Sequence, residues 1–113
     1  MTTPVLICDD SSFAQKQMAR ALPGDWDVSV SFAANGAEGL EALRAGQGDI
    51  LFLDLNMPVM DGYAVLEAIR NEDLNTLVIV VSGDVQPEAR ERVLKLGALD
   101  FIKKPITAEK VGE

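Results

Sequence analysis

A chain of 113 residues, 48% hydrophobic and 25% charged, has the composition of one globular domain with a sizeable apolar core, so residues 1–113 are expected to fold as a single unit. Its formal net charge of −8 sets it against duplex nucleic acid and anionic membranes as direct partners, because both would repel it. The absence of histidine removes the commonest general base and zinc ligand, and no apolar run approaches the length of a membrane span.

Val5-Leu6-Ile7-Cys8 is a continuous apolar run ending in Asp9-Asp10, and continuous hydrophobicity predicts a strand buried on both faces. The lone Cys8 inside it reads as a small buried hydrophobe, which makes a reducing cytoplasm the expected setting. Ser11 or Ser12 can cap a helix with apolar positions Phe13, Met18, Ala21 and Leu22, stopped by Pro23-Gly24. Val28, Val30 and Phe32 then alternate with Ser29 and Ser31, the pattern of an edge strand with one wet face.

Asn35-Gly36 breaks the chain before a short helix over Ala37–Ala45 that carries Leu40 and Leu43 and is ended by Gly46 and Gly48. The apolar run Ile50–Leu53 delivers Asp54 and is halted by Pro58. A carboxylate in that place belongs where a strand leaves the sheet, since mid-sheet it would be buried without water or a partner. Asp61-Gly62 opens a helix with Tyr63, Leu66, Ile69 and Arg70, and Asn71–Asn75 is its polar exit. Leu77–Val81 is the most β-branched run, hence a buried strand, and it ends in Ser82-Gly83-Asp84. Pro87 starts a charged helix with Val93, Leu94 and Leu96 turned inward, which Gly97 terminates. Leu99–Ile102 is the fifth strand and runs into Lys103-Lys104-Pro105. A last helix capped by Thr107 would be cut short at Glu113, with an output domain expected beyond that residue.

Strands alternating with helices predict an α/β fold: a flavodoxin-like, doubly wound, five-stranded parallel sheet of order 2-1-3-4-5. That order brings Asp9, Asp10, Asp54, Ser82 and Lys104 to one crevice at the carboxyl edge. Three carboxylates in one pocket repel one another, so the grouping makes sense when a cation is held there. Magnesium suits it, because it takes oxygen ligands and completes its shell with water or phosphate oxygens. Asp54 beside such an ion can attack phosphorus, with Lys104 and the Ser82 hydroxyl on the remaining phosphoryl oxygens.

These residues, with the run Asp54-Leu55-Asn56-Met57-Pro58-Val59-Met60-Asp61-Gly62, resemble the receiver (CheY-like) domain of two-component response regulators over nearly the whole chain. The resemblance implies that Asp54 is the phosphoacceptor and that Asp10 and Asp54 bind Mg2+ through their side chains. It implies that Asn56 adds its backbone carbonyl and that Asp9 acts directly or through water. It also implies that Ser82 and Phe101 form a switch and that Asn56 and Asp84 tune hydrolysis. The donor would be a sensor histidine kinase or a histidine phosphotransfer protein. The domain would catalyse its own phosphorylation and dephosphorylation without being a turnover enzyme. Two rivals are a haloacid-dehalogenase-like Mg2+-dependent phosphatase and an unphosphorylated pseudo-receiver that only docks a partner. The first places its nucleophile on strand one with a second aspartate two positions later, where this chain has strand three and Asn56.

Overall fold

The computed structural model describes residues 2–22, 24–57, 59–83 and 87–104. In chain order these form β1 (Thr3–Cys8), α1 (Ser12–Ala21), β2 (Val28–Ala33), α2 (Gly36–Arg44), β3 (Ile50–Leu53), α3 (Gly62–Asn71), β4 (Leu77–Ser82), α4 (Pro87–Lys95) and β5 (Asp100–Lys103). All neighbouring strands pair in parallel, in the expected order β2-β1-β3-β4-β5.

The continuous apolar runs follow from that architecture, because successive side chains point to opposite faces and both faces are covered. On one face Leu6, Leu51, Leu53, Val78 and Val80 pack with Leu40 and Leu43 of α2, Leu66 and Ile69 of α3, and Val93 of α4. On the other, Val5, Ile7, Phe52 and Val81 pack with Met18, Ala21 and Leu22 at α1. Burial of each such side chain is worth about 1.5–3 kcal/mol, so the central strands carry most of the fold's apolar gain.

Three helices open on side-chain caps at the carboxyl edge of the sheet. Ser11 Oγ accepts from the Ala14 N–H at 3.2 Å, Asn35 Oδ1 from Glu38 at 2.9 Å and Asp61 Oδ1 from Ala64 at 2.9 Å. Each cap is worth about 1 kcal/mol. Gly97, at φ +105°, closes α4 by letting the Ala98 and Gly97 N–H groups return to the carbonyls of Val93 and Leu94.

Several sequence expectations are corrected. Phe13 is 74% exposed, because the inward stripe of α1 passes through Gln15, Met18 and Leu22 and Phe13 lies on the far side of the helix. Leu94 is also exposed: Ala89 and Val93 define the buried stripe of α4, and the residue after Val93 is turned about 100° away from it. Leu99 precedes β5 and is exposed, so the strand begins at Asp100 and extends through Lys103. β1 starts two residues earlier than expected because Thr3 pairs with Val28, and α2 runs over Gly36–Arg44. Phe32 is half-exposed on the edge strand β2, where only one neighbouring strand covers it. Pro58, Pro105, Thr107 and the expected final helix lie outside the described residues.

Val59, at φ +70° and 82% exposed, is a β-branched residue in the left-handed region beside the Asp54 loop. Such a conformation costs an L-residue about 1–2 kcal/mol. Val59→Asn, which tolerates that region, is expected to raise the melting temperature by several degrees, since about 1 kcal/mol shifts a domain of this size by ~4–8 °C. An unchanged or lower midpoint in a thermal melt would show that the strain is not borne by this side chain.

Candidate functional site

Asp9 and Asp54 are the first residues beyond the ends of β1 and β3, and both continue the backbone ladder: the Asp9 N–H donates to Ala33 O at 3.0 Å and the Asp54 N–H to Cys8 O at 3.0 Å. Their carboxyl groups are therefore held by the sheet itself. Asp9 is fully buried and Asp54 is 4% exposed. Buried charges of one sign require a partner, and Lys104 supplies it. The Lys104 backbone N–H continues the β4–β5 ladder to Ser82 O at 2.9 Å, while its Nζ lies 2.9 Å from Asp9 Oδ2 and 3.4 Å from Asp54 Oδ1.

Asp9 Oδ1 is engaged separately by the Ser11 N–H at 2.9 Å, so both oxygens of that carboxylate already have donors. Asp10 is exposed, and its carboxylate makes no hydrogen bond or ion pair among the described residues. One oxygen each from Asp9, Asp10 and Asp54 lies within 4.8 Å of the others. Ser82 is buried at the end of β4, and Phe101 is half-buried on β5 in register with Val80. Asn56 is exposed, and its backbone N–H bonds to Asp54. The structure thus brings Asp9, Asp10, Asp54 and Lys104 together, with Ser82 on the adjoining strand end. Asp84 lies outside the described residues.

Burial is the main reason that the Asp54 carboxyl is pushed above the usual aspartate value. Asp9 adds to the shift, while Lys104 and the Asn56 N–H oppose it. Burial would pull Lys104 down, but its hydrogen bond to Asp9 and the charges of Asp54 and Asp9 outweigh that and raise it, so it is firmly cationic. The Cys8 thiol is pushed up to about 12, chiefly by burial and then by Asp9 and Asp54. Its Sγ donates to Asn35 O at 3.3 Å, and it stays a neutral core group as expected.

The available donor set is therefore carboxylate oxygen alone, without imidazole or thiolate. Such a set fits a hard divalent cation of the Mg2+ or Ca2+ kind. The apolar hollow lined by Trp26, Val28 and Ile50 lies at the opposite, amino edge of the sheet, away from these groups. Sequence reasoning missed Gln15, whose side-chain amide bonds to the carbonyls of Asp9 and Ala33. Its signal was present: a polar residue three and seven positions before the buried Met18 and Leu22, on the inward stripe of α1.

The family model for the response regulator receiver domain matches residues 5–113. The chemotaxis protein CheY of Treponema pallidum is 35% identical over 111 residues, covering 96% of this chain and 77% of that protein. A protein-glutamate methylesterase/protein-glutamine glutaminase of Oleidesulfovibrio alaskensis is 39% identical over 105 residues, 91% of this chain but 28% of its own length, so the chain spans less than a third of that relative. Among solved structures, CheY in the CheX–CheY–BeF3–Mg2+ complex from Borrelia burgdorferi matches with a TM-score of 0.86 and 34% identity over 96% of this chain and 83% of that one. Among the described residues, no helix is long and apolar enough to cross a membrane.

The raised value of Asp54 has a thermodynamic sign. Between the unfolded aspartate value and the higher folded one, the native state binds more protons, so stability falls as pH rises through that window. In EDTA at neutral pH, Asp54→Asn is expected to melt above the parent, and acidification should narrow the gap. A variant that melts below the parent, or a gap that does not change with pH, would show that an ionised Asp54 does not strain this fold.

Proposed function

The chain belongs to the receiver-domain family of response regulators, and from that premise we propose that Asp54 accepts a phosphoryl group from a phosphohistidine on a partner sensor histidine kinase or histidine phosphotransfer protein. The observation that carries this reading is a buried carboxylate at the end of a central strand with an ammonium 3.4 Å away and two further carboxylates beside it. In the transfer, the phosphorus–nitrogen bond of the donor breaks and a bond forms between phosphorus and an Asp54 oxygen. Since the chain has no histidine, the donor comes from outside.

Lys104 favours the anionic form of Asp54 against the burial that raises its carboxyl, and it remains within reach of the charge that develops on the phosphoryl oxygens. Ser82, one strand away, offers its hydroxyl to the same group. Asp10 and Asp54, the Asn56 backbone carbonyl and Asp9, directly or through water, would hold Mg2+, which supplies charge neutralisation to the phosphoryl oxygens when bound. The presence of BeF3 and Mg2+ in the Borrelia burgdorferi complex supports this cofactor.

Movement of Ser82 toward the modified Asp54, coupled through the Val80–Phe101 register to β5, would shift a two-state surface around α4 and β5. That surface speaks to an output, either a separate target or a domain beyond Glu113, in a cytoplasmic pathway. The domain catalyses its own phosphorylation and dephosphorylation, and Asn56 and Asp84 orient the water that ends the signal. The family match and the position of Asp54 just beyond the end of β3 do not favour the haloacid-dehalogenase-like phosphatase. The Lys104 contacts give no support to a pseudo-receiver.

Acetyl phosphate with Mg2+ is expected to add one phosphoryl group to the parent, seen by intact mass, and none to Asp54→Asn. An adduct that persists in Asp54→Asn, or no adduct on the parent when hydrolysis is suppressed, would overturn the assignment. A bulky apolar residue in place of Asn56 or Asp84 should lengthen the lifetime of the adduct. An unchanged decay rate would place the water's approach elsewhere.

A further inference from the structure

Gln15 sits in the second turn of α1, half-buried, with its amide turned toward the sheet. Its Nε2 donates to Asp9 O at 2.8 Å and to Ala33 O at 3.2 Å. These carbonyls stand at the carboxyl ends of the paired strands β1 and β2, where Cys8 and Ala33 are the last register partners. The Asp9 N–H to Ala33 O bond is the last rung on this side of the sheet, and beyond it the two chains diverge toward α1 and α2. One amide nitrogen with two hydrogens therefore fastens both chains at the point of divergence.

The carbonyl of Asp9 belongs to the peptide unit that joins Asp9 to Asp10. Its direction fixes the plane of that peptide and so the place of the Asp10 Cα, which lies in that plane. The other two carboxylates have side-chain restraints of their own: Asp9 is held by the Ser11 N–H and Lys104, and Asp54 by Lys104. Asp10 has none among the described residues, so its position is set by its backbone alone. Two side chains fix that backbone: Gln15 holds the Asp9 carbonyl before Asp10, and the Asp9 carboxylate holds the Ser11 N–H after it.

We propose that Gln15 is a positioning residue for the cation site, acting through the Asp9 carbonyl to hold Asp10 where its carboxylate meets those of Asp9 and Asp54. This inference rests on the Mg2+ reading given above. Without the amide, the Asp9–Asp10 peptide loses its anchor at the Asp9 carbonyl and keeps only the Ser11 N–H bond beyond Asp10, so more of the ordering of Asp10 falls at the moment the cation binds. Groups that orient metal ligands in this way typically contribute about 10–100-fold to metal affinity. The lower part of that range applies here, because one ligand of several is affected.

The test measures Mg2+ binding by titration calorimetry on the folded, unphosphorylated protein, with a melting curve in EDTA as the separate measure of fold. Gln15→Met keeps the length and apolar contacts of the side chain but donates nothing. It is expected to bind Mg2+ about tenfold more weakly than the parent. Gln15→Asn keeps the amide but withdraws it by one methylene, and the same direction of change is expected. It also serves as the readout should the methionine variant not fold. A purely structural role would lower the EDTA melting temperature and leave the Mg2+ dissociation constant of the folded protein unchanged. Unchanged Mg2+ affinity in a folded variant, whatever its melting temperature, therefore overturns the inference. Absence of Mg2+ binding by the parent would overturn the underlying metal reading and this inference with it, so the two failures are distinguishable.

Discussion

The contact on which the site depends is the reach of Lys104 from the end of β5 across to Asp9 at the end of β1, two residues 95 positions apart in the chain. These strands are not neighbours. β3 and β4 lie between them, so the ion pair exists only if five parallel strands adopt this order and register. A fully buried carboxylate without a partner costs several kcal/mol, and the fold can bury Asp9 only because assembly of the last strand delivers an ammonium to it. The ion pair thus reports completion of the sheet, and any register slip that moved Lys104 by one residue would turn its side chain to the other face.

One ammonium against three carboxylates leaves the crevice negatively charged. The helix termini partly offset this, because a parallel sheet sends α1, α2 and α3 away from the same edge with their positive dipole ends toward it. Ser11 joins the two effects: its hydroxyl caps α1 while its backbone N–H binds Asp9. Close packing confines the arrangement further. A Cβ on Gly62 would stand 2.6 Å from the Asp54 carbonyl oxygen and 2.8 Å from Leu55 Cα, so α3 can begin where it does only because that residue lacks a side chain. Backbone approach of this kind holds the carboxylate from behind while its charge faces the crevice.

Strand order, strand ends and helix caps were legible in the sequence because each has a short-range physical signature. Apolar runs that stop at a charge marked the ends of β1 and β3, and Ser11 and Asp61 cap where a small polar side chain precedes the helix, whereas Asn35 read as a chain break and in fact caps a helix that starts at Gly36. The meeting of Asp9, Asp54 and Lys104 required the topology rule as well, since nothing local joins residues so far apart. Faces of short helices were the weaker part. With ten residues in α1 and nine in α4, one apolar residue on the wrong side shifts the apparent stripe, and Phe13 and Leu94 each did so. Gln15 escaped notice for a related reason. A glutamine in a helix reads as solvated unless the buried positions around it are placed first, and its carbonyl partners come from two strand ends that are distant in sequence.

The elements around the crevice are not held equally firmly, and this decides where a change of charge at Asp54 can be felt. α2 and α3 approach closely at Gly36, whose missing Cβ admits the Met60 carbonyl and Val65, while the two-point Arg44–Glu72 ion pair is exposed and adds little to that contact. Both also send apolar side chains into the core, Leu40 and Leu43 from α2 and Val65, Leu66 and Ile69 from α3. α4 buries only Ala89 and Val93, and it meets α3 through the Arg92 guanidinium lying 3.9 Å from the centre of the Tyr63 ring. An exposed cation–π contact is worth about 0.5–1 kcal/mol, less than the burial of a single large apolar side chain. The same charge perturbation therefore displaces α4 at a lower cost than α2 or α3. Ser82 and Gly83, which lead from β4 toward α4, are the chain segment through which it would pass.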